Sequence, residues 1–158
     1  MSVEENKALA KAFIEDYPKI AQGDMALLHH YFADDFVNHT PLVHDPTAEG
    51  RKQGLADEAQ AFSAGLYQQG FSARADWVIG EGDLVVAHWT ASGVHHGQSQ
   101  YRHVEALPPT HQEVTLSGLV ALRVKNGKFT ERWHYENITD TMITHGVIQA
   151  TLRNAGEQ

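Results

Sequence analysis

Between Glu4 and Ile20 the apolar side chains Leu9, Ala12, Phe13, Tyr17 and Ile20 return every three or four residues, the spacing of one face of an amphipathic helix. Pro18 falls inside this pattern. Proline lacks the backbone N–H and its ring crowds the carbonyl four residues back, here Ile14, so a kink or an early end is expected. Gly23-Asp24 resets the chain, and Asp24 is placed to N-cap a second short helix that turns Met25, Leu28 and Phe32 inward, giving a helical hairpin. Phe36-Val37-Asn38-His39-Thr40-Pro41 continues as a short extended piece, and a loop with Pro46 and Gly50 follows. Roughly from Arg51 to Gln68, Leu55, Ala59, Phe62 and Leu66 recur at spacings of four, three and four, which predicts a third helix.

From Gly70 the period changes to two, with segments rich in Val, Thr and Trp between turn signals. Strands are predicted at Phe71–Ile79, Leu84–His96, Glu113–Val124 and Phe129–Ile138. Gly80-Glu81-Gly82-Asp83 and Lys125-Asn126-Gly127-Lys128 make the hairpin turns, the second having the Asn-Gly pair that a type I′ loop favours. The second strand would span about 40 Å at roughly 3.3 Å per residue, so bulges or coiling are expected near Ala91 to Gly93. Gln98 to Gln112 reads as a connection and Thr141 to Leu152 as a closing helix. Helices first and an antiparallel meander after is an α+β order, with helices covering one face of a curved sheet.

At 158 residues the chain reads as one domain, 1–158, with an ordered core of about 4–150. Twelve Lys and Arg against 20 Asp and Glu give a net charge of −8, which repels a phosphate backbone and argues against nucleic acid as a partner. The sequence has no cysteine, so disulfides, thiolate nucleophiles and Cys-based metal sites are excluded. The start lacks a basic then apolar leader pattern and no stretch is apolar enough to span a membrane, so a soluble cytoplasmic protein is expected.

The 11 His invite a test of metal chemistry. His29-His30 and His95-His96 are adjacent pairs that diverge on a helix or strand, and no His-Glu-x-x-His occurs, so no metal site is expected. Nucleotide-binding glycine motifs and a Gly-x-Ser-x-Gly elbow are missing too, and no cofactor is expected. On the last strand Trp133, Tyr135 and Asn137 share one face and Arg132, His134 and Glu136 the other. The aromatic face has the composition of a small-molecule pocket wall, though the rings would serve equally as plain core. Trp89 and His95 share a face with the small Ala91 and Gly93. His39 ends the extended Phe36 segment, where its imidazole either enters the cavity mouth as a base or caps the loop backbone. A carboxylate held in an apolar pocket would have its pKa raised and could move a carbon-bound proton without a cofactor.

Taken in order, Asn6-Lys7-Ala8-Leu9, Gly23-Asp24, Phe36-Val37-Asn38-His39-Thr40-Pro41, Gly82-Asp83-Leu84-Val85-Val86, Trp89 to His95, Pro108-Pro109-Thr110 and Asn126-Gly127-Lys128 with Glu131-Arg132-Trp133 resemble the SnoaL-like polyketide cyclases of the nuclear transport factor 2-like superfamily. The resemblance implies a cone of helices on a curved sheet around an apolar pocket, pairing as a homodimer through the sheet, and a cofactor-free aldol cyclisation. It places the family's acid/base aspartate at Asn137, an amide that takes no proton at neutral pH. His39, His95 and Asn137 are then the candidate catalytic residues, and Trp89, Trp133, Tyr135, Phe36, Phe13 and Tyr17 the candidate substrate contacts. Glu136, after a one-residue shift of register, or Asp140 would replace the missing aspartate. Two functions follow: a cofactor-independent cyclase, isomerase or lyase acting on a small carbonyl or polyketide-like compound, and a non-catalytic protein that binds a small apolar ligand.

Overall fold

The computed structural model describes residues 1–40, 52–66, 71–96, 99–101, 104–107 and 109–144, and for 61–66, 99–101, 104–107, 141–142 and 144 the backbone course only. The expected loop about Pro46 and Gly50, and residues 145–152 of the expected closing helix, lie outside these residues, as do the side-chain placements of Phe62 and Leu66.

Helix α1 (Val3–Ala21) starts in a capping box, in which the Ser2 hydroxyl accepts the Glu5 N–H and the Glu5 carboxylate accepts the Ser2 N–H. It runs one turn beyond Pro18 rather than stopping there. The proline sits so near the C-terminus that the helix forfeits little beyond it, and the Gln22 N–H closes the end on Pro18 and Lys19 carbonyls. Helix α2 (Met25–Tyr31) is N-capped by Asp24, whose side chain accepts the Leu27 N–H. Strand β1 (Phe32–Asn38) begins at Phe32, which is fully buried as a strand residue rather than a helical one. Helix α3 (Lys52–Leu66) follows.

Strands β2 (Ser72–Glu81) and β3 (Leu84–Val94) come next, then a short hairpin of β4 (Ser99–Tyr101) and β5 (Val104–Leu107), then β6 (Glu113–Lys125) and β7 (Lys128–Glu136), and helix α4 (Ile138–Thr144). The hairpin occupies part of what reads as a plain connection, because strands of three and four residues leave no periodicity to detect. The main sheet has the order β1-β7-β6-β3-β2, mixed because β1 runs parallel to β7, and it does not close into a barrel. Asn126 and Gly127 both have positive φ, +52° and +75°, as the type I′ turn between β6 and β7 requires.

The bulge expected in β3 is not there: β3 pairs with β6 without interruption from Leu84 to Val94. The extra residue sits in the partner strand instead, where Asp76 is inserted between Ala75 (opposite Trp89) and Trp77 (opposite His88). A second shift separates Val124 (opposite Phe129) from Arg123 (opposite Glu131), so Thr130 is the extra residue on β7.

Helices α1 and α3 pack on the inner face of the sheet. Phe13 stands edge-on to Phe32 and Phe129, with ring centroids 5.1 and 5.5 Å apart, and Phe32 meets Phe36 at 4.6 Å. Each such pair adds about 0.5–1.5 kcal/mol beyond the area it buries. The inward row Val85, Ala87, Trp89 and Ala91 of β3 faces Leu122, Val120, Gly118 and Leu116 of β6.

Gly118 is dictated by that row. A Cβ there would fall 2.8 Å from the Trp89 ring and would also collide with the Tyr135 carbonyl. Only hydrogen leaves the indole free to lie across the neighbouring strand. Gly118→Ala is therefore expected to cost about 1–3 kcal/mol, read as a lower urea midpoint at unchanged slope.

Candidate functional site

The inner face of β7 carries Arg132, His134 and Glu136, at alternate positions of one strand. They form one wall of a cavity otherwise lined by Phe13, Ile14 and Tyr17 of α1, Glu58 of α3, Phe71, Ala73, Trp89, Ala91 and Val120. It offers about 50 Å³ to the centres of water molecules, within about 540 Å³ of space between atoms that includes an open mouth. At about 10–15 Å³ per water, that is room for three to five waters or a ligand of a few carbons.

Arg132 and Glu58 are 3% and 4% exposed and joined at 2.8 Å, Nη2 donating to Oε1. Burial works against the charge on Arg132, but Glu58, foremost among its neighbours, outweighs it and holds the guanidinium protonated. Arg132 Nε and Nη1 find no hydrogen-bond partner among the described residues, nor does His134 Nδ1. The His134 ring lies over Trp89, with centroids 5.3 Å apart at 22°. Burial, and then the Arg132 charge, drive its pKa far below the ordinary value, so the imidazole is neutral at pH 7. Burial first, and the Glu58 charge second, push the Glu136 carboxyl up to about 7, with Arg132 opposing. Tyr17 is held protonated by burial, its hydroxyl feeling the charges of Glu58, Arg132 and Glu136.

Of the residues expected at the site, Phe13, Tyr17 and Trp89 line the cavity. Phe36 is buried in the aromatic core beside Phe32. Trp133, Tyr135 and Asn137 do not form the wall: they face away from the helices, and Tyr135 is 65% exposed. The reason is the bulge at Thr130. Carrying the two-residue turn forward without it would pair Val120 with Trp133 and turn the aromatics inward; the extra residue pairs Val120 with His134 instead. Glu136 thereby faces the cavity, opposite Gly118.

Asn137 continues the strand pairing, its Oδ1 accepting the Ser117 N–H at 2.9 Å and its N–H bonding the Ser117 carbonyl. Asp140 is exposed, with its N–H on the Asn137 carbonyl at the start of α4. His39 lies on the outer face, stacked on Trp133 at 4.4 Å and bonded to Glu131 at 2.9 Å, rather than at the cavity mouth. His95 is buried but is not part of the lining. The Thr110 N–H donates to its Nδ1 at 3.2 Å, and the Thr110 hydroxyl lies 3.0 Å from the same nitrogen. Glu58 was visible in sequence as a carboxylate on the apolar stripe of its helix, three residues after Leu55 and one before Ala59.

Among the described residues no three His, Asp or Glu side chains are grouped to hold a metal ion, and no helix is long and apolar enough to cross a membrane.

The family model for SnoaL-like polyketide cyclases matches residues 8–143. The chain belongs to the SnoaL-like polyketide cyclase family. No curated protein sequence matches it. Among solved structures it is similar to TsrD from Streptomyces laurentii, at 17% identity and a TM-score of 0.72, covering 94% of this chain and 99% of that one. It is also similar to IdmH, a candidate polyketide cyclase from Streptomyces antibioticus, at 23% identity and TM-score 0.67, covering 84% and 94%. A third is AclR, a candidate hydroxylase from Streptomyces galilaeus, at 19% and 0.70, covering 96% and 87%. At these identities the likeness is one of fold, and it brings the SnoaL-like protein within a group whose members are not assigned one reaction.

Proposed function

We propose that this SnoaL-like protein is a cofactor-independent enzyme of the cyclase or isomerase type, acting on a small polyketide-like carbonyl compound, with Glu136 as its acid/base. The observation that carries this reading is the placement of one carboxyl group on the wall of a mostly apolar cavity, beside an ion pair that is already neutralised internally. A carboxyl whose pKa lies near the working pH can both take and return a proton. His39, His95 and Asn137, engaged elsewhere, drop out of the proposed chemistry.

The test is deuterium exchange. Cyclohexanone incubated with the protein in heavy water should acquire deuterium beside its carbonyl faster than in buffer, read by mass spectrometry. Ligand binding without any exchange over buffer would favour the non-catalytic binder.

The homodimer belongs to the same reading. The outer face of the sheet exposes Trp77, Ile79, Leu119 and Tyr135, an apolar surface that a second copy of the chain would cover. Sedimentation is expected to show twice the chain mass at micromolar concentration, and Leu119→Glu with Tyr135→Glu should return the monomer. A wild-type monomer would remove the dimer from the proposal.

A further inference from the structure

Three buried donor or acceptor atoms of side chains that line the cavity have no partner among the described residues. Arg132 Nε, Arg132 Nη1 and His134 Nδ1 are buried on side chains 3% and 9% exposed, and among the described residues none has a partner. Leaving a buried polar atom unmatched costs about 1–3 kcal/mol, and more when the group is charged. Glu58 occupies only Nη2 of the guanidinium. The fold therefore holds a positive group in place with Nε and Nη1 unpartnered among the described residues, on the same strand face as a neutral imidazole. A purely apolar ligand would leave this cost standing. A ligand with an oxygen that gains negative charge would remove it.

Resting on the reading of Glu136 as the base, we infer that Arg132 is the oxyanion receptor of the site and that the cavity selects the enol or enolate of a small β-dicarbonyl compound. The two oxygens of such a compound match the two kinds of group on offer. One, bearing the charge, accepts from Arg132; the other, still a carbonyl, accepts from the Nδ1–H of the neutral His134. The proton step balances without any further reagent. The Glu136 carboxylate takes the proton from the carbon between the two carbonyls, and the C–H electron pair becomes the C=C bond. The carbonyl π pair moves onto oxygen facing Arg132, and return of the proton from the Glu136 carboxyl reverses each movement. Because the guanidinium is fixed by Glu58 before the substrate arrives, it does not have to reorganise as charge develops. The size of the cavity suits a five-carbon dicarbonyl.

The experiment uses carbon-labelled acetylacetone, with methyl propyl ketone as the one-carbonyl control, and the wild-type protein. Acetylacetone is expected to bind at least tenfold more tightly than the control, and NMR of the bound label should show the enolate at a pH at least one unit below that needed in free solution. In the paired variant Arg132→Met/Glu58→Leu, which removes both buried charges together, the preference and the enolate signal should both disappear. Arg132→Lys, which keeps a cation beside Glu58 but removes the unpartnered Nε–H and Nη1–H, should weaken both and supplies a second variant if the pair does not fold. Equal binding of the two ketones by wild type, or an enolate signal that survives loss of Arg132, would overturn the assignment. Cyclohexanone exchange that depends on Glu136, found together with either result, would leave the base intact and remove only the oxyanion receptor. Absence of any exchange would instead strike at the base itself.

Discussion

Glu136→Gln is expected to lower deuterium exchange into cyclohexanone by about 10²–10⁴-fold, the usual contribution of a positioned general base. Glutamine keeps the size and the hydrogen-bonding oxygen of the side chain but cannot take a proton at neutral pH. The wild-type rate should rise with pH and level off above about 7, because the carboxylate is the working form in the first step and burial, with Glu58 nearby, places its titration there. The variant's residual rate should show no such inflection. A rate that titrates identically in both proteins would assign the proton transfer to another group.

The same group sets a stability difference whose sign is fixed. Unfolded glutamate titrates near 4.3, and Glu136 in the fold at about 7, so in between the native state holds one proton more than the unfolded chain. The favourable contribution is complete below the unfolded value and is lost as pH rises through 7. Wild type should therefore lose about 1–3 kcal/mol relative to Glu136→Gln between pH 4 and pH 8, after allowance for partial exposure. Asp76 and Glu131 act in the opposite sense and lower. Hydrogen bonds from Thr90 to Asp76 and from His39 to Glu131 head the causes that depress these carboxyls, so their contribution disappears only in acid.

Arg132→Met made on its own should have the largest effect on stability, a loss of about 3–5 kcal/mol, since it strands the Glu58 charge in an apolar interior. Converting Glu58 to leucine in the same chain should recover most of that loss, because a buried pair replaced by packed apolar groups is often neutral in its cost. Urea titration of the two single variants and the pair forms a closed cycle. Single losses that simply add would mean the two side chains do not depend on each other.

The helices and long strands could be read from the sequence because each repeats one period for at least two turns or four alternations, as Leu9 to Ile20 and Leu84 to Val94 do. The Asn126-Gly127 turn was equally legible from its demand for positive φ. Phe13, Tyr17 and Trp89 of the cavity were legible too; its wall on β7 was not, and Thr130 shows why. Alternation assigns residues of β7 to two faces correctly, yet which face is inside depends on counting residues back to the turn, and a bulge leaves no mark in the hydrophobic pattern. The greasier face of that strand, Trp133 with Tyr135, ended outside. Glu58 and Arg132 contradict the rule that charges stay at the surface, and only their meeting across 74 positions of sequence resolves the contradiction.

The bulge at Thr130 works like a frameshift in side-chain space. One strand holds two alternative interiors in the same few letters, an ionisable set and an aromatic set, and a single additional residue selects between them. Removing Thr130 would exchange them, giving solvent the arginine, imidazole and carboxyl and giving the cavity an indole, a phenol and an amide. Within a SnoaL-like scaffold, a one-residue insertion or deletion near this hairpin is thus a short evolutionary path between a chamber fitted for proton chemistry and one fitted only to hold something.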